Sequence, residues 1–152
     1  MLLMSNITIS SAGVIQPFVM GSYSDILHTR QNRPFLLVFW SLDCPPCHKE
    51  LAMLGHIKLQ QPELDIVLVA TDEEAHTEEL ARMLHRYQLQ HAEAWVFAPD
   101  QSEQLRYEID RNWYGELPRS YLFNARHQRI AVSGTLSAKS LQAWLQKNTG
   151  ML

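Results

Sequence analysis

Cys44-Pro45-Pro46-Cys47 is the group of residues in this chain whose types and spacing point most directly to chemistry, and these are its only cysteines. The pair follows the apolar run Phe35-Leu36-Leu37-Val38-Phe39-Trp40 and precedes a helical pattern. A strand that delivers a CxxC pair to the first turn of a helix is a redox device. Cys44 then stands where unsatisfied backbone N–H groups and the positive end of the helix dipole favour a thiolate. Cys47, one turn further on, is placed to close a disulfide onto it. The thiolate is the attacking species in thiol–disulfide exchange, so position at the helix end is itself a mechanism. Two other readings stay open at this stage: a coincidental pair of buried thiols, and metal or iron–sulfur ligation. A zinc site needs four ligands, so it would require His48 with another histidine, or a dimer. The remaining histidines (His28, His56, His76, His85, His91, His127) are scattered without ligand spacing and read as surface residues.

The elements that must position this pair follow from the hydrophobic pattern. At 152 residues and 46% hydrophobic content, the chain is long enough for one domain with a real core, and too apolar for disorder. Residues 1–152 therefore read as a single domain, with 1–23 a variable, turn-rich lead-in of one or two short strands. Ser24 to Arg30 reads as a short helix capped by Ser24, and residues 35–40 as a strand buried on both faces. From Pro45 the apolar positions Cys47, Leu51 and Leu54, with Lys58, fall on one helical stripe, the prolines being tolerated in the first turn. Leu64 to Ala70 reads as a second buried strand. Thr71-Asp72-Glu73-Glu74 fits a capping box, opening a helix through Leu80, Met83, Leu84 and Tyr87. Its acidic run from Asp72 to Glu79 reads as a solvated helix start. Ala94 to Ala98 is a third strand, and Asp100 with Glu103 caps a brief helix to about Tyr107. Ser120–Phe123 and Arg129–Val132 form a hairpin, and Ser137 to Lys147 a final helix burying Leu141, Trp144 and Leu145. The order β-α-β-α-β-α-β-β-α predicts an α/β fold: a mixed central sheet with helices on both faces.

Charge and composition exclude some functions. A net charge of −3 with no basic cluster argues against a nucleic-acid partner. No stretch approaches a transmembrane span, and Met1 to Ile9 lacks the basic and apolar regions of a secretory signal. The chain as it stands reads as cytoplasmic with no membrane partner, or as periplasmic if a leader has been removed.

The segment Val38-Phe39-Trp40-Ser41-x-x-Cys44-Pro45-Pro46-Cys47-x-Lys49-Glu50-Leu51 resembles the active-site segment of thioredoxin-fold proteins, and most closely that of the TlpA-like (redoxin) branch. A second segment, Gly115-Glu116-Leu117-Pro118-Arg119-Ser120-Tyr121-Leu122-Phe123-Asn124, is similar to the Gly-x-Pro-x-x-strand signature of that family. The likeness runs from about residue 24 to 147. It implies a thioredoxin-like fold, a cis proline at Pro118 lying against the CxxC, and backbone groups of Leu117 that pair with an extended substrate. With Trp40 as active-site wall, Leu117 and Pro118 form the expected substrate-facing set.

This sequence departs from the family pattern in three places. Asp43 stands where a tryptophan usually precedes the first cysteine, bringing a carboxylate that tends to raise the Cys44 pKa. Val38 occupies the place of the buried strand acid that accepts the proton of the second cysteine. Arg119 follows the proline where a small or acidic residue is more familiar. Proton transfer at Cys47 must then use water, Asp43 or another acid, with Glu116 and Glu50 as candidates. His48 either stabilises a nearby thiolate when protonated or points into solvent. Trp113-Tyr114 reads as a partner-binding rim or as a cap on the core edge.

The sequence-based expectation is a thiol:disulfide oxidoreductase, acting as a disulfide reductase through Cys44 and Cys47, with no cofactor and no metal. Its partners would be a disulfide-containing protein or small molecule and a second redox protein that recycles the dithiol. It would act as a monomer. The rival readings are a redox-inactive binding or chaperone-like module of the same fold, and a dimer holding a metal or iron–sulfur cluster.

Overall fold

The structure, a computed structural model, describes residues 13–150. Its elements are β1 (Gln16–Phe18), α1 (Ser22–Thr29), β2 (Phe35–Trp40), α2 (Pro45–Gln60), β3 (Ile66–Ala70), α3 (Thr77–Arg86), β4 (Glu93–Phe97), α4 (Ser102–Ile109), β5 (Arg119–Phe123), β6 (Arg129–Ser133) and α5 (Ala138–Asn148). The strands form a six-stranded sheet in the order β1-β4-β3-β2-β5-β6. β1, β4, β3 and β2 run parallel, while β5 is antiparallel to β2 and β6 to β5. The expected mixed sheet is present, and β1 extends it at the edge beside β4. Residues 1–12 of the expected lead-in lie outside the described residues.

Strict alternation along β2 explains why its sequence is apolar throughout. Leu36, Val38 and Trp40 point into one core layer with Leu51 and Leu54 of α2, Leu80 and Leu84 of α3, and Leu141 and Trp144 of α5. Phe35, Leu37 and Phe39 point the other way, onto Ile26 of α1 and Leu105 and Ile109 of α4. A central strand covered on both faces has no polar side, so period-2 polarity is absent from it. Burial of each such side chain stabilises the fold by about 1.5–3 kcal/mol. α2 meets the end of α3 at Gly55, where a β-carbon would lie 1.9 Å from the Tyr87 carbonyl oxygen. Only a residue without a side chain permits that approach.

Several boundaries differ from the sequence reading, each for a local reason. α1 begins at Ser22, not after a Ser24 cap: Gly21, at φ 94°, is the N-cap residue in place of Ser24, and the Ser22 hydroxyl accepts from Val19 N at 2.9 Å. The capping box at Thr71–Glu74 does not form. A 3-10 turn at Glu74–His76 comes first, and α3 starts at Thr77. The Asp72 carboxylate is engaged elsewhere, by Leu42 N at 3.1 and 3.2 Å. Lys58 leaves the buried stripe and donates to the carbonyls of Pro62 and Leu64, closing the C-terminal turn of α2. α4 is capped at Gln101 without a side-chain bond, since Asp100 adopts a left-handed φ of 60°.

Candidate functional site

The loop Ser41–Asp43 carries the chain from the end of β2 into α2, and the two cysteines sit where it enters the helix. Cys44 is the N-cap residue of α2, and its sulfur accepts from Cys47 N at 3.2 Å. A backbone N–H aimed at Sγ is the interaction that stabilises a thiolate at a helix end. The two sulfurs are joined in a disulfide, with Cα atoms 5.2 Å apart. Their environments differ. Cys44 retains 7% exposure and Cys47 none, so an incoming molecule meets Cys44 first.

Leu117–Pro118 is a cis peptide bond, as the resemblance implies. The Pro118 carbonyl accepts from Gly134 N at 2.9 Å, and the Leu117 side chain packs against both core layers, including the layer that contains both cysteines. Trp40 is 1% exposed in that same layer, so it is a wall behind the disulfide and offers little surface of its own. Asp43 is exposed beside Cys44.

Glu116 has another task. Its carboxylate receives Tyr114 N at 3.1 Å and Ser133 Oγ at 2.9 Å and lies 3.5 Å from Arg119 Nη1, bracing the 113–119 loop. Those bonds outweigh its desolvation and hold its carboxyl below the usual range. Arg119, nearly buried, completes the brace through Asp110 Oδ2 at 2.8 Å and the Tyr121 hydroxyl at 3.0 Å. Trp113 is buried and donates to the Glu116 carbonyl at 2.9 Å, whereas Tyr114 stands 86% exposed.

His48 does not point into solvent. Its Nε2 lies 2.7 Å from the Leu42 carbonyl oxygen, and the Tyr87 hydroxyl lies 3.3 Å from Nδ1. A carbonyl can only accept, so Nε2 carries the hydrogen and the ring is spent on the loop before Cys44.

Similar proteins share this arrangement of elements. The structure resembles a secreted Mycobacterium tuberculosis disulfide oxidoreductase homologous to E. coli DsbE, with TM-score 0.61 and 19% identity over 79% of this chain and 85% of the other. StoA from Bacillus subtilis matches with TM-score 0.56 and 22% identity over 75% and 83% of the two chains. A thiol:disulfide interchange protein of the thioredoxin family from Chlorobium tepidum matches with TM-score 0.63 and 12% identity over 80% and 83%. This chain has the thioredoxin-like fold. No protein-family model matches the sequence, and no curated protein matches it.

Within the thioredoxin-like fold, the position of the absent strand acid can now be located. Val38 pairs directly across the β2–β5 ladder with Ser120, so both side chains lie on the face covered by α2. Glu50, one turn beyond Cys47 on α2, reaches down to that spot. Its Oε1 accepts from Ser120 Oγ, its Oε2 accepts from Leu136 N at 2.8 Å, and the residue is 0% exposed. Burial pushes its carboxyl up from the usual range against the pull of those two bonds. A buried carboxyl from the helix side is therefore hydrogen-bonded to the strand residue that pairs with Val38. Of the acids weighed from sequence, Glu50 is the one buried on the same helix face as Cys47.

Asp72 is the residue that sequence reasoning missed. Burial, with Asp43 adding to it, pushes its carboxyl up from the usual range against the pull of Leu42 N–H. Its position at the carboxyl end of β3, next to the carboxyl end of β2, was the available signal, because parallel strands gather functional groups there.

Proposed function

We propose that this protein is a thiol:disulfide oxidoreductase that reduces disulfides through the Cys44/Cys47 dithiol. The observation that carries the reading is the asymmetry of the pair: a Cys44 that keeps a small exposure and whose sulfur receives a helix N–H, and a fully buried Cys47 one turn behind it. Structural neighbours named as disulfide oxidoreductases, as thiol:disulfide interchange proteins and, in one case, as a thio-disulfide isomerase support the same chemistry.

In the reductase direction, the Cys44 thiolate attacks one sulfur of a substrate disulfide. A Cys44–substrate bond forms, the substrate bond breaks, and the departing thiolate takes a proton. The Leu117–Pro118 segment offers backbone groups to the substrate chain during this step. Cys47 then gives its proton to Glu50 and attacks Cys44 Sγ. The mixed disulfide breaks, the second substrate sulfur leaves reduced, and Cys44–Cys47 closes. Two electrons have passed to the substrate, and a second redox protein must return them. That partner and a disulfide-bearing protein or small molecule are the implied partners. Among the described residues no helix is long and apolar enough to cross a membrane. The M. tuberculosis neighbour is a secreted protein, which favours the extracytoplasmic of the two settings considered for this chain.

The test is an equilibrium titration of the Cys44–Cys47 pair in dithiothreitol and glutathione buffers, read by thiol labelling, together with insulin reduction. A potential near that of thioredoxin, about −270 mV, is the expected result. One near about −120 mV would make the protein a disulfide donor instead. A pair that never closes would remove the redox reading altogether.

A further inference from the structure

Leu42 is held from both sides of its backbone. Its N–H donates to the Asp72 carboxylate, 3.1 and 3.2 Å from the two oxygens, and its carbonyl accepts from His48 Nε2 at 2.7 Å. The Tyr87 hydroxyl of the α3 C-cap residue stands 3.3 Å behind the imidazole at Nδ1. These contacts tie the loop to three other places: the end of β3, the first turn of α2 and the end of α3. The Leu42 side chain is partly buried against the core layer that contains both cysteines. Only Asp43 separates this fixed point from Cys44.

We propose that Asp72 and His48 are positioning residues of the dithiol: by gripping the Leu42 backbone from opposite sides they fix the loop that carries Cys44 and hold its sulfur in reach of Cys47. Neither side chain need touch the reacting sulfurs. Closing a disulfide depends on how well the two sulfurs are pre-organised, as any intramolecular reaction does. Cys47 is fixed by α2, which is anchored along its length in the core. Cys44 stands at the N-cap of that helix, where one side of its backbone belongs to the loop, so the loop before it decides its freedom.

The His48 contact is indifferent to the charge of the ring. Neutral imidazole with hydrogen on Nε2 accepts from Tyr87 at Nδ1, and imidazolium donates at both nitrogens, so the Leu42 bond survives either way.

This inference rests on the oxidoreductase reading, and the experiment separates the two. The equilibrium constant for closing Cys44–Cys47 against dithiothreitol is measured for wild type, Asp72→Ala, Asp72→Asn, His48→Ala and His48→Gln. Each alanine variant is expected to lower the constant on the order of three- to tenfold, the weight of one lost hydrogen bond. A tenfold loss raises the potential by about 30 mV. Asn keeps an acceptor for Leu42 N–H and Gln keeps a donor for the carbonyl, so both should stay within about twofold of wild type. Alanine variants indistinguishable from wild type would overturn the proposal. So would conservative variants that fall as far as the alanines. Hydrogen exchange at the Leu42 amide in the wild-type protein tests the grip without any variant having to fold: a protected amide is expected, and one exchanging at the rate of an open loop would overturn it. A wild-type pair that never closes would overturn the oxidoreductase reading and this inference with it.

Discussion

Glu50→Gln isolates the charge of the buried carboxyl from its shape. Protonated Glu50 can donate to Ser120 Oγ and accept from Leu136 N, and a glutamine amide can do both in the same space. The variant should therefore fold, and at low pH it should match wild type. Among the described residues no cation pairs with Glu50, and burial raises its pKa in the folded state. The sign of the pH effect follows. Below about pH 4.3, the ordinary value for Glu, folded and unfolded chains both hold the proton and the group contributes no pH dependence. Above it the unfolded chain ionises first, the folded chain binds more protons, and stability falls with rising pH until the folded pKa is passed.

The loss reaches about 1.4 kcal/mol for each pH unit by which the folded pKa exceeds the unfolded one. Glu50→Gln escapes it, so its melting midpoint should rise above wild type as pH increases, by about 2–4 °C per kcal/mol for a domain of this size. The same substitution removes the proposed proton acceptor of Cys47. Resolution of the mixed disulfide should slow on the order of a hundredfold, the lower end of general-base contributions, while the first attack by Cys44 keeps its rate. Melting curves from pH 3.5 to 8 and rapid-quench gels of the mixed disulfide read the two effects. Parallel melting curves would refute the raised pKa, and an unchanged resolution rate would refute Glu50 as acceptor.

Other substitutions probe the surroundings of the dithiol. Arg119→Met removes the 2.8 Å partner of Asp110, whose side chain is 10% exposed, while Arg129, Tyr121 and Asn112 remain on it, and should cost about 1–3 kcal/mol at neutral pH. Desolvation raises the Asp110 carboxyl, but bonds from Asn112 N, Arg119 and Tyr121 outweigh it and hold it low. Its contribution is thus present above the ordinary Asp value and lost as pH falls through the depressed one, so the variant's deficit in urea unfolding should shrink in acid. Gly55→Ala should lower stability by about 1–3 kcal/mol despite its better helix propensity, because the added carbon meets the Tyr87 carbonyl at 1.9 Å; thermal unfolding reads it. Asp43→Asn removes the exposed carboxylate beside Cys44, and should raise the redox potential by roughly 10–20 mV with a matching fall in the thiol pKa followed by alkylation.

The elements that position the dithiol were legible because each leaves a local mark. Six apolar residues in a row mark β2, the prolines at the start of a periodic stretch mark α2, and both survive in the fold. Pro118 was legible only through resemblance, since nothing in its immediate composition marks a cis bond. Interactions that join residues far apart in sequence left no such mark. Asp72 lies 30 residues from Leu42, and before a helical stretch an Asp with Glu nearby has the composition of a cap. Glu50 lies 70 residues from Ser120 and 86 from Leu136; its place in α2 follows from periodicity, but its burial depends on a hairpin strand and a loop arriving at the same point. The start of α1 was misplaced for a related reason. Gly21 N donates to the Glu108 carboxylate at 3.0 Å, a contact with α4 that no window around Ser24 contains.

The arrangement around Cys44 also bears on the direction of electron flow. A strongly oxidising CxxC protein is one whose reduced form is stabilised, usually by a thiolate held well below its ordinary pKa. Here two influences oppose each other. The Cys47 N–H aimed at Cys44 Sγ favours the thiolate, whereas the carboxylate of Asp43 beside it disfavours it. A loop that holds Cys44 close to Cys47 stabilises the disulfide, and the Asp43 carboxylate destabilises the thiolate of the open form. Both shift the balance toward the closed pair, which makes the open dithiol a better electron donor. Both influences therefore favour the reductase direction proposed above, and the equilibrium titration of the pair reads their sum.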